Sequence, residues 1–370
     1  MKTVSFFTAL LICFGLNAAN AQTSAYIDGY AYSQPQQAQY YTQQAVAYAA
    51  PAQTAAVPTT KISDIVSRGV LRCGSDMSVN TYARFVDGKW EGFDADFCRV
   101  LAQALLGDSE KIEMVNIGTN DVAEALNGAK IDIMLSGSPS SAALETSGEA
   151  LNAGALYYDY QMLLARTEDP NDLESYHGKK VCMAADSEYS KNFEEYNSKY
   201  NMGITYLTFA DFNEAKRAFL LKRCQLLTAG SLLLKGISNS GVKNTKILPN
   251  KIAIHPAYAY VQKNNNELRL AVKWILNALY LTEEYDINAK NIKFYSFNDN
   301  MELKNLMGED AKLWSSLKVR PRWLVDAVAA FGNYADIYER NLGKDSEYQL
   351  ERVEGNLLKN GGTIYPIPFM

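Results

Sequence analysis

Histidine is nearly absent from this sequence: among 370 residues only His177 and His255 occur, and the five cysteines form no CxxC pair. Zinc sites need several His, Cys or carboxylate ligands at short spacings, so the pattern does not indicate a metal site. Acid–base catalysis needs a positioned proton donor and acceptor, and the serine-rich loop 136–141 has no histidine nearby. We therefore predict that the protein is not an enzyme and carries no cofactor or metal.

Two further absences concern the partners of the chain. Lysine and arginine form no basic cluster, and their 36 residues are outnumbered by 41 acids, for a net charge of −5. Nucleic-acid-binding proteins concentrate positive charge on one face, so we predict no nucleic-acid partner. Apolar runs of the roughly 20 residues that cross a bilayer are also missing, which predicts a chain that does not span a membrane.

The first 21 residues have the pattern of a secretory signal peptide. Lys2 supplies the positive charge, residues 6–16 form a short apolar core, and Ala19-Asn20-Ala21 is a small-x-small cleavage site. We predict a periplasmic or secreted protein, cleaved near Ala21.

Residues 22–60 differ in composition from the rest of the chain. They are rich in Gln, Tyr, Ala, Pro and Thr, with Asp28 as their one charge. Such a segment buries too little apolar surface to offset the entropy of ordering it, so we predict a disordered tether. The alternative is that its tyrosines mediate assembly or contact an envelope partner.

The folded part shows two series of alternating strands and helices. The first predicts strands over 70–74, 112–117 and 131–135, with helices over 94–105 and 121–126 between them. Asp94 stands where an N-cap is expected. This order is typical of a parallel, doubly wound α/β lobe.

The second series repeats that order. Strands are predicted over 181–184, 204–209 and 225–228, with helices from about Tyr189 and over 211–222. We therefore predict two lobes. Their boundaries are listed here: residues 61–167 plus 258–285 form lobe 1, 168–257 form lobe 2, and 286–370 form a C-terminal helical extension packed on the lobes. Helical periodicity in the extension is found around Trp323, Val325, Ala329 and Ile337. Ligands of open α/β sheets bind beyond the carboxyl ends of the strands, which places one cleft between the lobes.

Four cysteines remain after cleavage of the signal peptide. An even number in an exported protein indicates disulfides. Two cysteines fall in each predicted lobe, which favours Cys73–Cys98 and Cys182–Cys224 over the two cross-lobe pairings.

Several short motifs together resemble one protein family. Residues 92–97 read Gly-Phe-acidic-x-acidic-apolar before an amphipathic helix, which resembles the signature of family 3 periplasmic solute-binding proteins. The segments 90–94, 157–159, 223–224 and 332–334 occur in the order found in its general amino-acid-binding members. The resemblance implies an α/β fold, a two-lobed clamshell of type II. It also implies a function, the delivery of an amino acid to an ABC permease.

The resemblance also implies which residues hold the ligand. Members of this family bind the ligand carboxylate with an arginine and its ammonium with an aspartate. Here these positions fall at Leu144 and Gly230, so both groups are replaced. The remaining candidates for lining the cleft are listed here: Asp76, Tyr82, Ser138, Ser141, Asp186, Ser187, Thr228 and Ser231.

We therefore expect an exported, solute-binding-protein-like component of an amino-acid-type ABC transport system. Its partners are a small polar solute and an ABC permease, and its amino-acid binding is altered or lost. The alternative is a degenerate binding-protein scaffold that serves as a cell-envelope, surface or assembly protein. An enzyme on this fold is a third interpretation, which the missing acid–base pair does not support.

Overall fold

The computed structural model describes residues 60–136, 142–295, 299–309 and 311–369. The predicted signal peptide and nearly all of the predicted tether lie outside these residues. The described part belongs to one compact unit, which runs from Ala55 to Met370. None of the helices in the described ranges combines the length and the apolar character needed to cross a bilayer.

The strands and helices are as follows. The strands are β1 Leu71–Ser75, β2 Arg84–Val86, β3 Lys89–Glu91, β4 Ile112–Asn116, β5 Ile133–Met134, β6 Ala150–Arg166, β7 Lys180–Ala184, β8 Thr205–Phe209, β9 Leu226–Gly230, β10 Thr245–Ile247 and β11 Ala253–Gln262. The helices are α1 Ile62–Arg68, α2 Phe93–Leu106, α3 Val122–Asn127, α4 Ala142–Thr146, α5 Glu188–Lys199, α6 Phe212–Leu220, α7 Ser231–Asn239, α8 Asn266–Glu284, α9 Ile292–Tyr295, α10 Met301–Leu306, α11 Ala311–Ser316, α12 Trp323–Phe331 and α13 Tyr334–Asn341.

One sheet runs through the described unit, in the order β4-β1-β5-β11-β6-β9-β7-β8, with β10 beside β6. Strands β4, β1 and β5 are parallel and form what we call the first half. Strands β8, β7 and β9 are parallel and form the second half. The antiparallel pair of β6 and β11 joins the two halves. This confirms the prediction of two parallel α/β series, whereas the predicted lobe boundaries stay a prediction.

The N-cap of helix α2 lies two residues before the predicted position. Gly92 is its N-cap, with φ of 119°, and a Cβ built there would lie 2.5 Å from the Tyr82 carbonyl oxygen. Only glycine meets both conditions without strain. The prediction that Asp94 is the N-cap is therefore wrong, because its carboxylate accepts hydrogen bonds from Ser75 and Ser136 instead.

Both predicted disulfides are present. Cys73–Cys98 joins β1 to α2, and Cys182–Cys224 joins β7 to the segment before β9. Each of these bonds therefore fixes an element to its own half of the sheet. Cross-links that close loops of this length remove conformational entropy from the unfolded chain, which stabilises the folded state by about 3–4 kcal/mol in the chain-entropy model.

The C-terminal extension, by which we mean residues 286–369 as described, packs over α2 and α8. This explains why α2 is buried on nearly every side and not only on its predicted apolar face. Asp96, on the side of α2 away from the sheet, accepts hydrogen bonds from Arg340 at 2.9 Å and Asn341 at 2.8 Å. Trp314, Trp323 and Phe369 form an aromatic cluster within the extension.

The extension also contacts the second half and the joining strand β6. Lys235 on α7 donates to the carbonyl of Gln349 at 2.7 Å, and Asn239 donates to that of Glu347 at 3.2 Å. The Tyr160 hydroxyl on β6 donates to the Glu354 carboxylate. The extension is therefore bound to both halves of the sheet.

Candidate functional site

Residues that follow β1 and β7 lie close enough to influence one another electrostatically. Asp76 follows β1, and Tyr189 lies in the first turn of α5, after β7. Burial is the largest cause that raises the pKa of the Tyr189 hydroxyl. The Asp159 and Glu188 carboxylates raise it further, and Asp76 adds a smaller effect of the same sign. Residues from both halves and from β6 therefore share one electrostatic environment, which we call the cleft.

Asp94 ties together the ends of two strands on the first-half side of the cleft. Its carboxylate accepts from the Ser75 hydroxyl at 2.6 Å and from the Ser136 backbone N–H at 3.3 Å. Burial raises the pKa of Asp94 to about 6, against the hydrogen bonds from Ser136 and Ser75, which lower it. This carboxylate fixes the loops that line the cleft.

Two tyrosines form an aromatic wall beside Asp94. The rings of Tyr82 and Tyr157 lie 6.0 Å apart, and Tyr157 packs edge-on against Phe93 at 5.4 Å. Burial raises the pKa of both tyrosine hydroxyls well above the usual value. Both phenols therefore stay neutral at physiological pH and offer hydrogen bonds rather than charge.

Asp159 on β6 is a buried carboxylate near the middle of the cleft. It accepts from the Ser231 hydroxyl at 2.5 Å and from the Tyr160 backbone N–H at 2.8 Å. Burial raises its pKa, whereas the hydrogen bond from Ser231 and the nearby His255 lower it. His255 lies opposite Asp159 in the register of β11 with β6.

Gly230 ends β9 beside this carboxylate. A Cβ built at Gly230 would lie 2.6 Å from Asp159 Oδ2 and 2.9 Å from Tyr189 Oη. A Cβ carbon does not approach non-bonded atoms this closely, so two side chains from other segments occupy the volume that a side chain at position 230 would need.

Gln161 continues the same face of β6, two residues beyond Asp159. Its Nε2 donates to the Tyr189 carbonyl at 2.7 Å and to the Thr228 hydroxyl at 2.9 Å. Gln161 is 0% exposed, and its Oε1 has no hydrogen-bond partner among the described residues. A buried acceptor without a donor is costly.

Acidic groups outnumber basic ones around the cleft. Glu188 Oε1 lies 3.5 Å from His255 Nδ1, and the other ring nitrogen of His255 lies 3.3 Å from the Asn192 amide nitrogen. Asp76 and Asp159 add further carboxylates, and neither has an ion pair among the described residues. The described residues contain no group of three or more His, Cys, Asp or Glu side chains arranged to hold a metal ion.

The predicted lining residues have different positions in the structure. Tyr82, Thr228 and Ser231 are buried, and each has a hydrogen-bond or ring contact described above. Asp76 is partly exposed and accepts from the Ser78 backbone N–H at 3.0 Å. Their role in ligand binding stays a prediction.

The remaining candidates lie at the start of α5 or outside the described residues. Ser187 is the N-cap of α5 and accepts from the Ser190 backbone N–H at 3.1 Å. Asp186 is exposed and has a left-handed backbone, with φ of 55°. Ser138 and Ser141 lie outside the described residues.

Leu144 lies on α4 and packs against the apolar cluster that contains Met134 and Tyr260. Its aliphatic side chain therefore belongs to the packing of the first half. Nothing in this arrangement supplies a positive charge at position 144.

Asp159, Gln161 and Tyr189 were not predicted as members of the site. Alternation along a strand places 157, 159 and 161 on one face, but β6 was not among the predicted strands. Tyr189 was predicted only as the start of a helix. No local signal placed the Tyr189 ring near Gly230, because the two residues meet through tertiary packing.

Comparison with known proteins identifies the relatives of this chain. The family model for bacterial extracellular solute-binding proteins, family 3, matches residues 71–293. A protein of Escherichia coli K12, provisionally named as the amino-acid ABC transporter-binding protein YhdW, is 28% identical over 311 residues, covering 82% of this chain and 91% of the relative. The general L-amino acid-binding periplasmic protein AapJ of Rhizobium johnstonii is 25% identical over 320 residues, covering 85% and 94%.

A solved structure supports the same relationship. An ABC transporter periplasmic binding protein from Brucella ovis, with glutathione bound, has a TM-score of 0.76 and 28% identity. The match covers 84% of this chain and 99% of that chain. Together with the helices after β11, this likeness confirms the predicted type II periplasmic-binding-protein fold with a C-terminal helical extension.

Proposed function

Because this chain belongs to family 3 of the bacterial extracellular solute-binding proteins, we propose that it is the periplasmic binding component of an amino-acid-type ABC importer. We also propose that the chain itself does not bind free α-amino acids tightly. Membership of this family implies an ABC permease as its partner. We propose that the chain reaches the periplasm through the predicted signal peptide.

The environment of position 144 carries this proposal. The family resemblance places the carboxylate-binding arginine there, and this chain has Leu144 packed in an apolar cluster. Three other arginines near the loops in sequence are engaged elsewhere. Arg72 pairs with Asp132, Arg84 with Glu91, and Arg166 donates to the Phe219 carbonyl; these partners lie outside the cleft described above.

The loss of affinity expected from replacing the arginine is large enough to weaken amino-acid binding. Removing one partner of a buried, hydrogen-bonded charge pair costs roughly 2–5 kcal/mol, and each 1.4 kcal/mol is about a tenfold change in Kd. A ligand carboxylate in this cleft would also face the Asp159 and Glu188 carboxylates. An amino acid would therefore bind more weakly here than in a site that keeps the arginine.

A thermal-shift panel tests the proposal. The panel contains L-glutamine, L-glutamate, neutral L-amino acids and glutathione. A ligand that binds only the folded state stabilises it by RT ln(1 + [L]/Kd). We expect no significant shift with the free amino acids at sub-millimolar concentration. A clear shift with several of them would contradict the proposal, whereas a shift with glutathione alone would identify a peptide ligand.

A further inference from the structure

Tyr189 reaches the backbone of Gly230 from another element. Its phenol oxygen lies 2.9 Å from the position that a Cβ at residue 230 would take. The Asp159 Oδ2 atom lies 2.6 Å from the same Cβ position. By resemblance, residue 230 is where this family holds its ammonium-binding carboxylate.

The position of Tyr189 is fixed from two sides. Gln161, fully buried, donates to the Tyr189 carbonyl at 2.7 Å. The Tyr189 ring lies 4.9 Å from the His255 ring. The phenol is therefore held against Gly230 by a strand and by a ring contact, and it does not depend on α5 alone.

We propose that Tyr189 is a specificity-determining residue of this site: its phenol fills the space of a ligand ammonium, and Asp159 is the carboxylate that an amine pairs with once the phenol is removed. With the phenol in place a ligand ammonium is excluded, and the ligand class that fits after its removal is a primary amine without an α-carboxylate. This inference rests on the proposed function, because it assumes that the cleft is the solute site.

The charges of the cleft favour an amine over an amino acid. Gln161 Oε1 is a buried acceptor without a donor, and Asp76 and Glu188 lie close enough to influence Tyr189. A cation at this position is attracted by the Asp159, Glu188 and Asp76 carboxylates. A carboxylate on the same ligand would be repelled by them, and Leu144 offers it no partner.

The test compares the full mature chain with Tyr189→Ala by titration calorimetry, with putrescine as the amine probe. The matched control is Tyr196→Ala, which removes a partly buried tyrosine from the same helix, whose ring packs on Tyr200 at 4.6 Å. We expect Tyr189→Ala to bind putrescine at least about tenfold more tightly than the wild type, the lower end for a buried charge pair. Tyr196→Ala should match the wild type.

Further variants separate an ammonium subsite from simple packing. Tyr189→Phe removes only the phenol oxygen and should give a smaller gain than Tyr189→Ala. Asp159→Asn, combined with Tyr189→Ala, should remove the gain. If that double variant does not fold, the affinity of Tyr189→Ala measured from low to high salt replaces it, because an ion pair weakens with salt.

Three results would overturn the inference: equal putrescine affinity in the wild type and Tyr189→Ala, a gain that survives Asp159→Asn, or a gain that does not depend on salt. None of these bears on the proposed function. That proposal fails only if the wild type binds free amino acids tightly, which a parallel titration with L-glutamine measures.

Discussion

Two residues of the cleft, Asp94 and Gly230, meet partners that are distant in the sequence. Asp94 has the residue type and position of an N-cap, and neither its burial nor its partners on two other strand ends can be read from local sequence. Gly230 reads as the loss of a carboxylate. In the fold it leaves room for the Asp159 carboxylate, which comes from a strand about 70 residues earlier in the chain.

The buried Asp94 carboxylate predicts a pH dependence of stability. Its pKa is about 6 in the folded protein, against 3.8 as the reference value. The folded state therefore binds a proton that the unfolded state releases between pH 4 and 6, and the free energy of unfolding falls as the pH rises through this window. At about 1.4 kcal/mol per unit, this group contributes a loss of roughly 3 kcal/mol.

Asp94→Asn removes this titration. We expect the stability of the variant relative to the wild type to increase by up to about 3 kcal/mol from pH 4 to pH 7, measured by urea denaturation. Asp172→Asn is the control. Hydrogen bonds from Ser175 lower the pKa of Asp172, so the stability of this variant relative to the wild type should change with pH in the opposite direction. A difference curve for Asp94→Asn that stays flat with pH would contradict this account.

Elements were predicted well where local periodicity determines them. Helix α2, the parallel strands of both halves and helices α12 and α13 follow from amphipathic and apolar patterns. The strand β6 was not predicted, because its 17 residues contain glycine, polar residues and three aromatics and lack a simple alternation. Its length allows β6 to join the two halves, and this role depends on the whole sheet rather than on the local sequence.

The start of α2 provides a prediction at the scale of one element. Gly92→Ala places a Cβ 2.5 Å from the Tyr82 carbonyl oxygen at a φ of 119°. We expect this variant to lose more stability than Gly88→Ala, which also has a positive φ but has nothing within 4 Å. The strain common to both is about 1–3 kcal/mol. Equal losses in urea denaturation would show that the turn before α2 adjusts freely.

At the scale of the whole molecule, the C-terminal extension is part of the folded unit. It covers α2 and contacts both halves of the sheet through Asp96, Lys235 and Tyr160. The sequence predicts its helices and its packing on the lobes. Which residues form the contacts was not predictable, because Arg340 and Asp96 are separated by 244 residues.

Arg340→Met tests this attachment. The Asp96 side chain is only 12% exposed and loses its hydrogen bonds from Arg340, so we expect the variant to lose about 1.5–3 kcal/mol of stability. Arg84→Met is the control for a weak attachment, because its pairs with Glu91 and with Glu347 of the extension are half exposed and such pairs contribute about 0–1 kcal/mol. Equal effects in urea denaturation would mean that the extension adds little to the stability of the first half.

The central claim is that a member of the solute-binding family uses a cleft that rejects free α-amino acids. Its most direct test is titration calorimetry of the wild-type mature chain with L-glutamine and L-glutamate. We predict no saturable binding at sub-millimolar ligand, because position 144 supplies no guanidinium and the cleft carries carboxylates. Saturable binding of either amino acid with a micromolar or tighter Kd would contradict the account.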